Sequence, residues 1–550
     1  MHEWLARLDR FFPVRYTAWL ASALLGLLGA FAWVAFGVGG WAALLGLFLA
    51  GLGLRDSRQT RHSVLRNYPV IGHVRFLLEF VRPEIRQYFI ESDNEAAPFS
   101  RQQRSIVYQR AKGDGDKRPF GTQLDVQADG YEWINHSLAP TEIASHDFRI
   151  VIGPERTQPY SASVFNISAM SFGSLSANAI LALNGGAKRG GFMHDTGEGS
   201  ISRYHREHGG DLVWQIASGY FGCRGDDGRF DAERFTATAA DPQVKLIEIK
   251  LSQGAKPGHG GMLPGAKVTP EISATRGIPV GLDCISPAGH SAFATPTELL
   301  QFLDRLRVLS GDKPTGFKLC IGHPWEWFGI CKAMLVTGIL PDFIVVDGAE
   351  GGTGAAPLEF SNHVGAPLQE GLLLVHNTLV GLGLRERIRI GCAGKIISAF
   401  DIARAMALGA DWCNSARGFM FALGCIQAQS CHTGTCPTGV TTQDPVRQQA
   451  LVVPSKMERV HRFHEQTLAA LKELTQAAGL AHPNRFSMAH IVRRISKSDV
   501  RLLSNLMPQV APGELLAAHQ GQGDWPHNVY RLYWPVASAE SFSPVEAPSR

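Results

Sequence analysis

Apolar and polar residues follow three different patterns along the chain. From Tyr16 to Leu54 there is no charged residue. Arg7, Arg10 and Arg15 precede this run, and Arg55, Arg58 and Arg61 follow it. One membrane span takes ~20 residues, so the run is too long for one span and long enough for two. Gly37-Val-Gly-Gly40 supplies a turn at its midpoint, and Trp19, Trp33 and Trp41 fall near the span ends, where indoles favour the interface. The pattern predicts a transmembrane helical hairpin over residues 1–55. With basic residues on both flanks, both ends and the rest of the chain fall on the cytoplasmic side of the inner membrane. Two other readings compete: a secretory signal with Ala30-Phe-Ala32 as its cleavage site, and a buried core hairpin. The second apolar run argues against the signal.

Residues 56–160 are mixed and polar, a lead-in with a helical stretch at Arg82–Ser92 and a short strand beginning at Gly121. From Val164 the pattern changes to short β-rich runs alternating with helical ones, which signals βα units and a parallel sheet. Eight runs qualify as strands: Phe165–Met170, Gly191–Asp195, Leu212–Ala217, Lys245–Leu251, Thr315–Cys320, Phe343–Asp347, Arg387–Gly391 and Asp411–Ser415. Eight such units predict an α/β fold, a (β/α)8 TIM barrel over 161–450. The rival, an open doubly wound sheet, lacks its G-x-G-x-x-G turn after a first strand. A helical extension over 451–550 follows. It holds an amphipathic helix at Ser455–Ala478, with Val460, Phe463, Leu468, Leu471 and Leu474 on one face, a second helical patch at Met488–Ser496, and a proline-rich irregular tail.

Composition narrows the chemistry. The 550 residues are 45% hydrophobic and 19% charged, which is globular, and a net charge of +4 names no nucleic-acid partner. The nine cysteines are irregularly spaced, which argues for a reducing compartment over a disulfide framework. Six of them (Cys223, Cys284, Cys320, Cys331, Cys392 and Cys413) sit in apolar or turn contexts, where buried free thiols are common.

Chemistry gathers at the strand ends. Asp347-Gly-Ala-Glu-Gly-Gly-Thr-Gly-Ala-Ala-Pro follows the sixth strand, and Ile390-Gly-Cys-Ala-Gly-Lys-Ile runs through the end of the seventh. Two glycine-rich loops after consecutive late strands suit phosphate binding, because their N–H groups can turn to an anion with no Cβ in the way. Lys250 and Lys318 end the fourth and fifth strands. A lysine in a barrel mouth is costly unless it faces an anion or a polar cofactor. Beside a flavin's N1–C2 carbonyl it would stabilise the reduced ring. Cys425, Cys431 and Cys436 fall within twelve residues in a loop that ends Cys-Pro. Soft thiolates at this density select an iron–sulfur cluster or zinc, with His432 as a possible fourth zinc ligand. Unliganded thiols are the plain alternative.

Taken together, these runs resemble the FMN and iron–sulfur domain of glutamate synthase over roughly residues 160–450. The likeness rests on Ile167-Ser-Ala-Met-Ser-Phe-Gly-Ser-Leu-Ser, Asp195-Thr-Gly-Glu-Gly, Gln215-Ile-Ala-Ser-Gly-Tyr-Phe-Gly, Lys250-Leu-Ser-Gln-Gly-Ala-Lys-Pro-Gly-His-Gly-Gly, the Gly-Gly-Thr-Gly loop and the C-x5-C-x4-C spacing, all in order. The resemblance implies that Ala169, Met170 and Ser171 line an FMN, with Gln215, Lys250 and Lys318 on its ring. Gly351, Gly352, Thr353, Ala393 and Gly394 would hold its phosphate, and the three cysteines a [3Fe–4S] cluster. Glu198, Lys250 and Lys256 would surround the substrate, and Arg276 would grip the carboxylate of a 2-oxoacid. Two positions and one stretch depart from the family: Met262 stands where it has glutamine, His259 where it has glutamate, and Ser286-Pro-Ala-Gly-His-Ser where it has a run richer in proline and histidine.

The implied activity is reductive amination of a 2-oxoacid, 2-oxoglutarate to glutamate or a related reaction. The alternatives are a membrane-linked amino-acid or amine dehydrogenase that passes electrons through the cluster, and a non-catalytic flavoprotein scaffold. The partners expected are a small-molecule substrate, an electron donor or acceptor, and the membrane. The chain carries no glutaminase domain with an N-terminal nucleophilic cysteine.

Overall fold

The computed structural model describes residues 13–94 and 97–546, so Arg7 and Arg10 lie outside it. The chain divides into two compact units, Met1–Arg101 and Gln102–Arg550.

In the first unit, helices α1 (Thr17–Phe36) and α2 (Gly40–Arg58) pack antiparallel. Gly37 and Gly39 turn the chain between them with φ of 68° and 94°, a left-handed conformation that glycine adopts without strain. Small residues let the two backbones touch. A Cβ on Gly46 would lie 2.2 Å from the Gly26 nitrogen, and one on Gly29 would lie 2.4 Å from the Ala43 nitrogen. Trp19 Nε1 donates to the Ala50 carbonyl at 2.9 Å. Large apolar side chains such as Leu27, Phe31, Val34, Trp41 and Phe48 point outward. Among the described residues one helix, Val14–Phe36, is long and apolar enough to cross a membrane. The last turn of α2 carries Arg55, Asp56 and Arg58. Helix α3 (Gly72–Ile85) continues into a π-helical turn, Arg86–Ile90, over the stretch read as helical.

The second unit is built on a closed eight-stranded parallel barrel. Its strands are β1 (Phe165–Ile167), β2 (His194–Asp195), β3 (Leu212–Ile216), β4 (Val244–Lys250), β5 (Thr315–Leu319), β6 (Phe343–Asp347), β7 (Arg389–Ala393) and β8 (Trp412–Ser415). Each overlaps a run predicted from the β-rich pattern, although β1 stops at Ile167, β2 begins only at His194 and β7 only at Arg389. Pairing of β8 with β1 and of β4 with β5 closes the ring. The helix Val453–Ala477, here α4, buries Val460, Phe463, Leu468 and Leu471 of the face read from the sequence, with Leu474 only partly covered. It packs so closely on the helix Ala177–Gly190 that a Cβ on Gly186 would come within 2.4 Å of Val460.

Two local expectations were wrong. The segment after Gly121 is not a strand but a series of turns, with Asp125 Oδ1 accepting from the Gln127 nitrogen at 2.9 Å. Residues 488–496 form a 3-10 turn, Met488–His490, followed by a strand, Ile491–Arg494. That strand pairs with Glu132–Ile134, a partner more than 350 residues earlier, which a local pattern does not reveal. The tail also holds two short helices, Glu514–His519 and Asn528–Tyr533.

Candidate active site

Side chains on a strand alternate between faces, so Leu246, Glu248 and Lys250 of β4 share the barrel interior. At the mouth, Lys250 Nζ pairs with Glu198 Oε2 at 3.1 Å and donates to Gln253 Oε1 at 2.5 Å. Burial alone pushes the Glu198 carboxyl up, but Lys250, Arg276 and Lys256 together hold it below the usual carboxylate range. Lys256 is buried and donates to the Gly260 carbonyl at 2.5 Å, and burial lowers its ammonium from the ordinary lysine value.

Arg276 is buried on the same side. Its Nη2 reaches the Phe172 carbonyl at 3.0 Å and Ser171 Oγ at 3.4 Å, and its Nη1 lies 3.7 Å from Cys284 Sγ. The guanidinium lies over the Phe221 ring at 5.3 Å. Its Nε is buried and has no hydrogen-bond partner among the described residues. A buried guanidinium with an unsatisfied donor and no carboxylate on it is costly unless an anion arrives.

The turn after β1 carries Ala169, Met170 and Ser171. It is pressed against the Asp195–Gly199 loop, where a Cβ on Gly197 would lie 2.7 Å from the Ser171 nitrogen. Gln215 is buried and donates from Nε2 to Glu248 Oε1 at 2.6 Å. Lys318 is buried and pairs with Asp347 Oδ2 at 3.3 Å. Burial works to lower its ammonium, but Asp347, Glu248 and Asp195 outweigh that and raise it.

The two glycine loops meet. The Gly348 nitrogen donates to the Ala393 carbonyl at 2.7 Å, and Cβ atoms on Gly348 or Gly394 would collide with Leu368 at 2.6 or 2.9 Å. Gly351 and Gly352 differ, since a Cβ on either would meet nothing closer than 3.6 Å. Their backbone therefore borders open space.

Cys425, Cys431 and Cys436 line one pocket together with Met420, Ile426, Pro437 and Thr441, and none is disulfide-bonded. Burial pushes the Cys436 thiol up, yet hydrogen bonding around Thr438 and Thr441 brings it down to about 7. Among the described residues no three His, Cys, Asp or Glu side chains converge as a single metal ion requires. His432, the possible zinc ligand, is not brought into such a group.

Three residues at this site were not singled out from sequence. Arg417 Nη2 donates to the Gly352 carbonyl at 2.8 Å, and its Nη1 lies 4.0 Å from Cys431 Sγ. Lys267 Nζ donates to the Cys431 carbonyl at 2.7 Å. His290 Nε2 lies 2.9 Å from the Lys250 carbonyl. Only contacts across the fold mark them, so no local signal was there to read. Glu248 was not singled out either, although its i, i+2 spacing from Lys250, which places both on one face, was a signal that could have marked it. Met262 and Ile285 pair across a two-stranded ribbon on the face opposite Leu263 and Cys284. Arg276 meets Cys284, so Met262 is turned away from it.

The model for a conserved region in glutamate synthase matches residues 134–481. The chain belongs to the glutamate synthase family. It is 38% identical over 518 residues to the glutamate synthase large subunit-like protein YerD of Bacillus subtilis, an alignment covering 86% of this chain and 98% of that protein. It is 40% identical over 279 residues to the archaeal-type glutamate synthase [NADPH] of Thermotoga neapolitana, covering 50% of this chain and 52% of that one. The corresponding enzyme of Methanocaldococcus jannaschii is 38% identical over 317 residues, covering 57% and 58%. The chain thus spans little more than half the length of these archaeal-type relatives. Membership of the glutamate synthase family makes this an oxidoreductase barrel with the active mouth at its strand C-termini.

Proposed function

We propose that the chain is an FMN- and iron–sulfur-dependent oxidoreductase that reductively aminates a 2-oxoacid, with 2-oxoglutarate the first to test. Arg276 carries the reading. It is a buried guanidinium with an orphaned Nε, and with Lys250 and Lys256 it makes three cations acting on the carboxylate of Glu198. The positive excess suits a substrate that brings its own carboxylates.

The residues fit FMN. Gly351 and Gly352 leave the backbone open at the end of β6, where a phosphate can approach with no Cβ in the way, although the Gly351 nitrogen already donates to the Gly348 carbonyl at 3.3 Å. Ala169, Met170, Ser171, Gln215, Lys250 and Lys318 would border the ring, Lys318 as a fixed cation. Bound FMN supplies the hydride that the substrate carbon accepts. Cys425, Cys431 and Cys436 would hold a [3Fe–4S] cluster, which would supply an electron relay.

The chain's own groups do the rest. Arg276 and Lys256 hold the substrate carboxylate. Ammonia replaces the carbonyl oxygen, which leaves as water, and Glu198 moves the protons this exchange requires. Lys250 keeps Glu198 ionised and aimed. The outward apolar side chains of α1 support anchorage in the inner membrane, with the catalytic unit on its cytoplasmic side.

The test is anaerobic turnover of purified, flavin-loaded protein with 2-oxoglutarate, ammonia and a reductant. Amino-acid formation that is lost in Arg276→Ala supports the reading. Reduction of a quinone analogue by amino acids, with no amination, would replace it with the dehydrogenase.

A further inference from the structure

TIM-barrel interiors are filled mainly by layers of branched apolar side chains. This barrel instead carries a buried charged layer just below its mouth. Asp195 of β2, Glu248 of β4 and Lys318 of β5 are each no more than 4% exposed, and Asp347 closes the group from β6. Asp195 and Glu248 both line the interior cavity, together with Asn166, Val345 and Asn414.

The carboxyl groups are not equally compensated. Asp347 accepts from Lys318 and from the Gly254 nitrogen, the latter at 3.0 Å. Asp195 Oδ1 accepts from the Gly197 nitrogen at 2.9 Å. Glu248 has one amide, Gln215 Nε2 at 2.6 Å, and no cation in contact. Lys250, the next inward residue on β4, is engaged with Glu198. Three carboxylates share one cation in contact, Lys318, with Lys250 acting on Asp195 from the mouth, so negative charge stays in excess in a low-dielectric interior. Such sites retain protons instead.

We propose that Glu248 is a neutral carboxylic acid in the working protein, and that its proton controls the charge beside the ring that Gln215 would contact. Burial raises both carboxyl groups, and Asp195 raises Glu248 further, while Lys318 and Gln215 act the opposite way on Glu248. Negative charge that arrives at the ring on reduction then faces Lys318 and Lys250 without opposition from Glu248. Once Glu248 ionises, that charge is opposed and the ring becomes harder to reduce. Glu248 is thus a positioning residue that acts through Gln215 and through its field. Its effect on the ring rests on the proposed FMN site, whereas the neutral acid itself does not.

The experiment combines infrared spectra of the full-length protein in H2O and D2O with spectroelectrochemical titration of its flavin as a function of pH. The expected result is a protonated-carboxyl band at neutral pH that is lost in Glu248→Gln. The flavin potential of the unaltered protein should also show an alkaline bend that this variant lacks. Absence of the band from the unaltered protein overturns the proposal. So does its survival in both Glu248→Gln and Asp195→Asn, and the second variant also stands in if the first fails to fold. A band accompanied by identical potential–pH curves in the unaltered protein and Glu248→Gln overturns the control of the ring. Protein that shows the band yet takes up no flavin overturns the FMN reading and leaves the neutral acid supported.

Discussion

Arg417 lies with Nη1 4.0 Å from the Cys431 sulfur, while Nη2 of the same guanidinium donates to the Gly352 carbonyl at 2.8 Å. One side chain thereby ties the cysteine loop to the glycine loop proposed to hold a phosphate. The loops also touch directly, since a Cβ on Gly354 would lie 3.0 Å from the His432 nitrogen. Charged hydrogen bonds contribute roughly 1.5–3 kcal/mol each. Arg417→Ala is therefore expected to weaken flavin retention by about tenfold or more and to disturb the cluster spectrum as well. Arg417→Lys should keep part of both. Fluorescence titration of FMN beside low-temperature EPR checks this, and a change in only one of the two readouts would sever the proposed link.

Removing Arg276 leaves its anion partner desolvated and unpaired, a loss of roughly 2–5 kcal/mol for a buried charge pair. Arg276→Ala should raise KM for the 2-oxoacid by about 30-fold or more on that scale, with bound flavin unchanged. Steady-state kinetics with flavin quantified in the same samples decides it. An unaltered KM would take Arg276 out of the substrate site.

Cys436 has a thiol lowered to about 7, poised to be a thiolate near neutral pH. Thiolates, not thiols, ligate metal. Cys436→Ser is expected to abolish the iron signal while the flavin absorption persists, because the tie to the glycine loop runs through Arg417 near Cys431 and not through Cys436. Iron analysis and EPR of anaerobically purified protein give the answer, and full iron content in the variant would rule out this ligand.

Glu198 and Glu248 load stability with opposite signs. Glu198 is held below its ordinary range, so it contributes stability above the unfolded value of ~4.3 that is lost as pH falls through the folded value. Glu248 is raised, so the folded chain keeps a proton that the unfolded chain has released. Stability therefore falls as pH rises from ~4.3 through its folded value. Thermal unfolding followed against pH should show Glu248→Gln flattening the decline on the alkaline side and leaving the acid limb in place.

Gly46 has no room for a side chain against Gly26. Overpacking costs about 1–3 kcal/mol, and Gly46→Leu should separate α1 from α2. A spectroscopic distance between labels at the two helix ends would report the separation, and an unchanged distance would mean that the contact is not what holds the pair.

The sequence by itself determined the order and type of the barrel elements, because alternating β-rich and helical runs reflect local burial that each strand must satisfy whatever its neighbours are. It also determined the apolar N-terminal helix, the glycine loops and the three thiols, all of which are contiguous segments. Tertiary structure decided what depends on closure of the ring. It brought Arg276, from a helix after β4, to Ser171 after β1, and it set Arg417 between two loops far apart in the chain. It stacked Asp195, Glu248 and Lys318 in one buried layer and turned Met262 away from Arg276, a rotation fixed by pairing with Ile285. Spacing along the chain places a residue on a face of its own element, and only the packing of elements determines which charges must share a low-dielectric space and so which of them keep a proton.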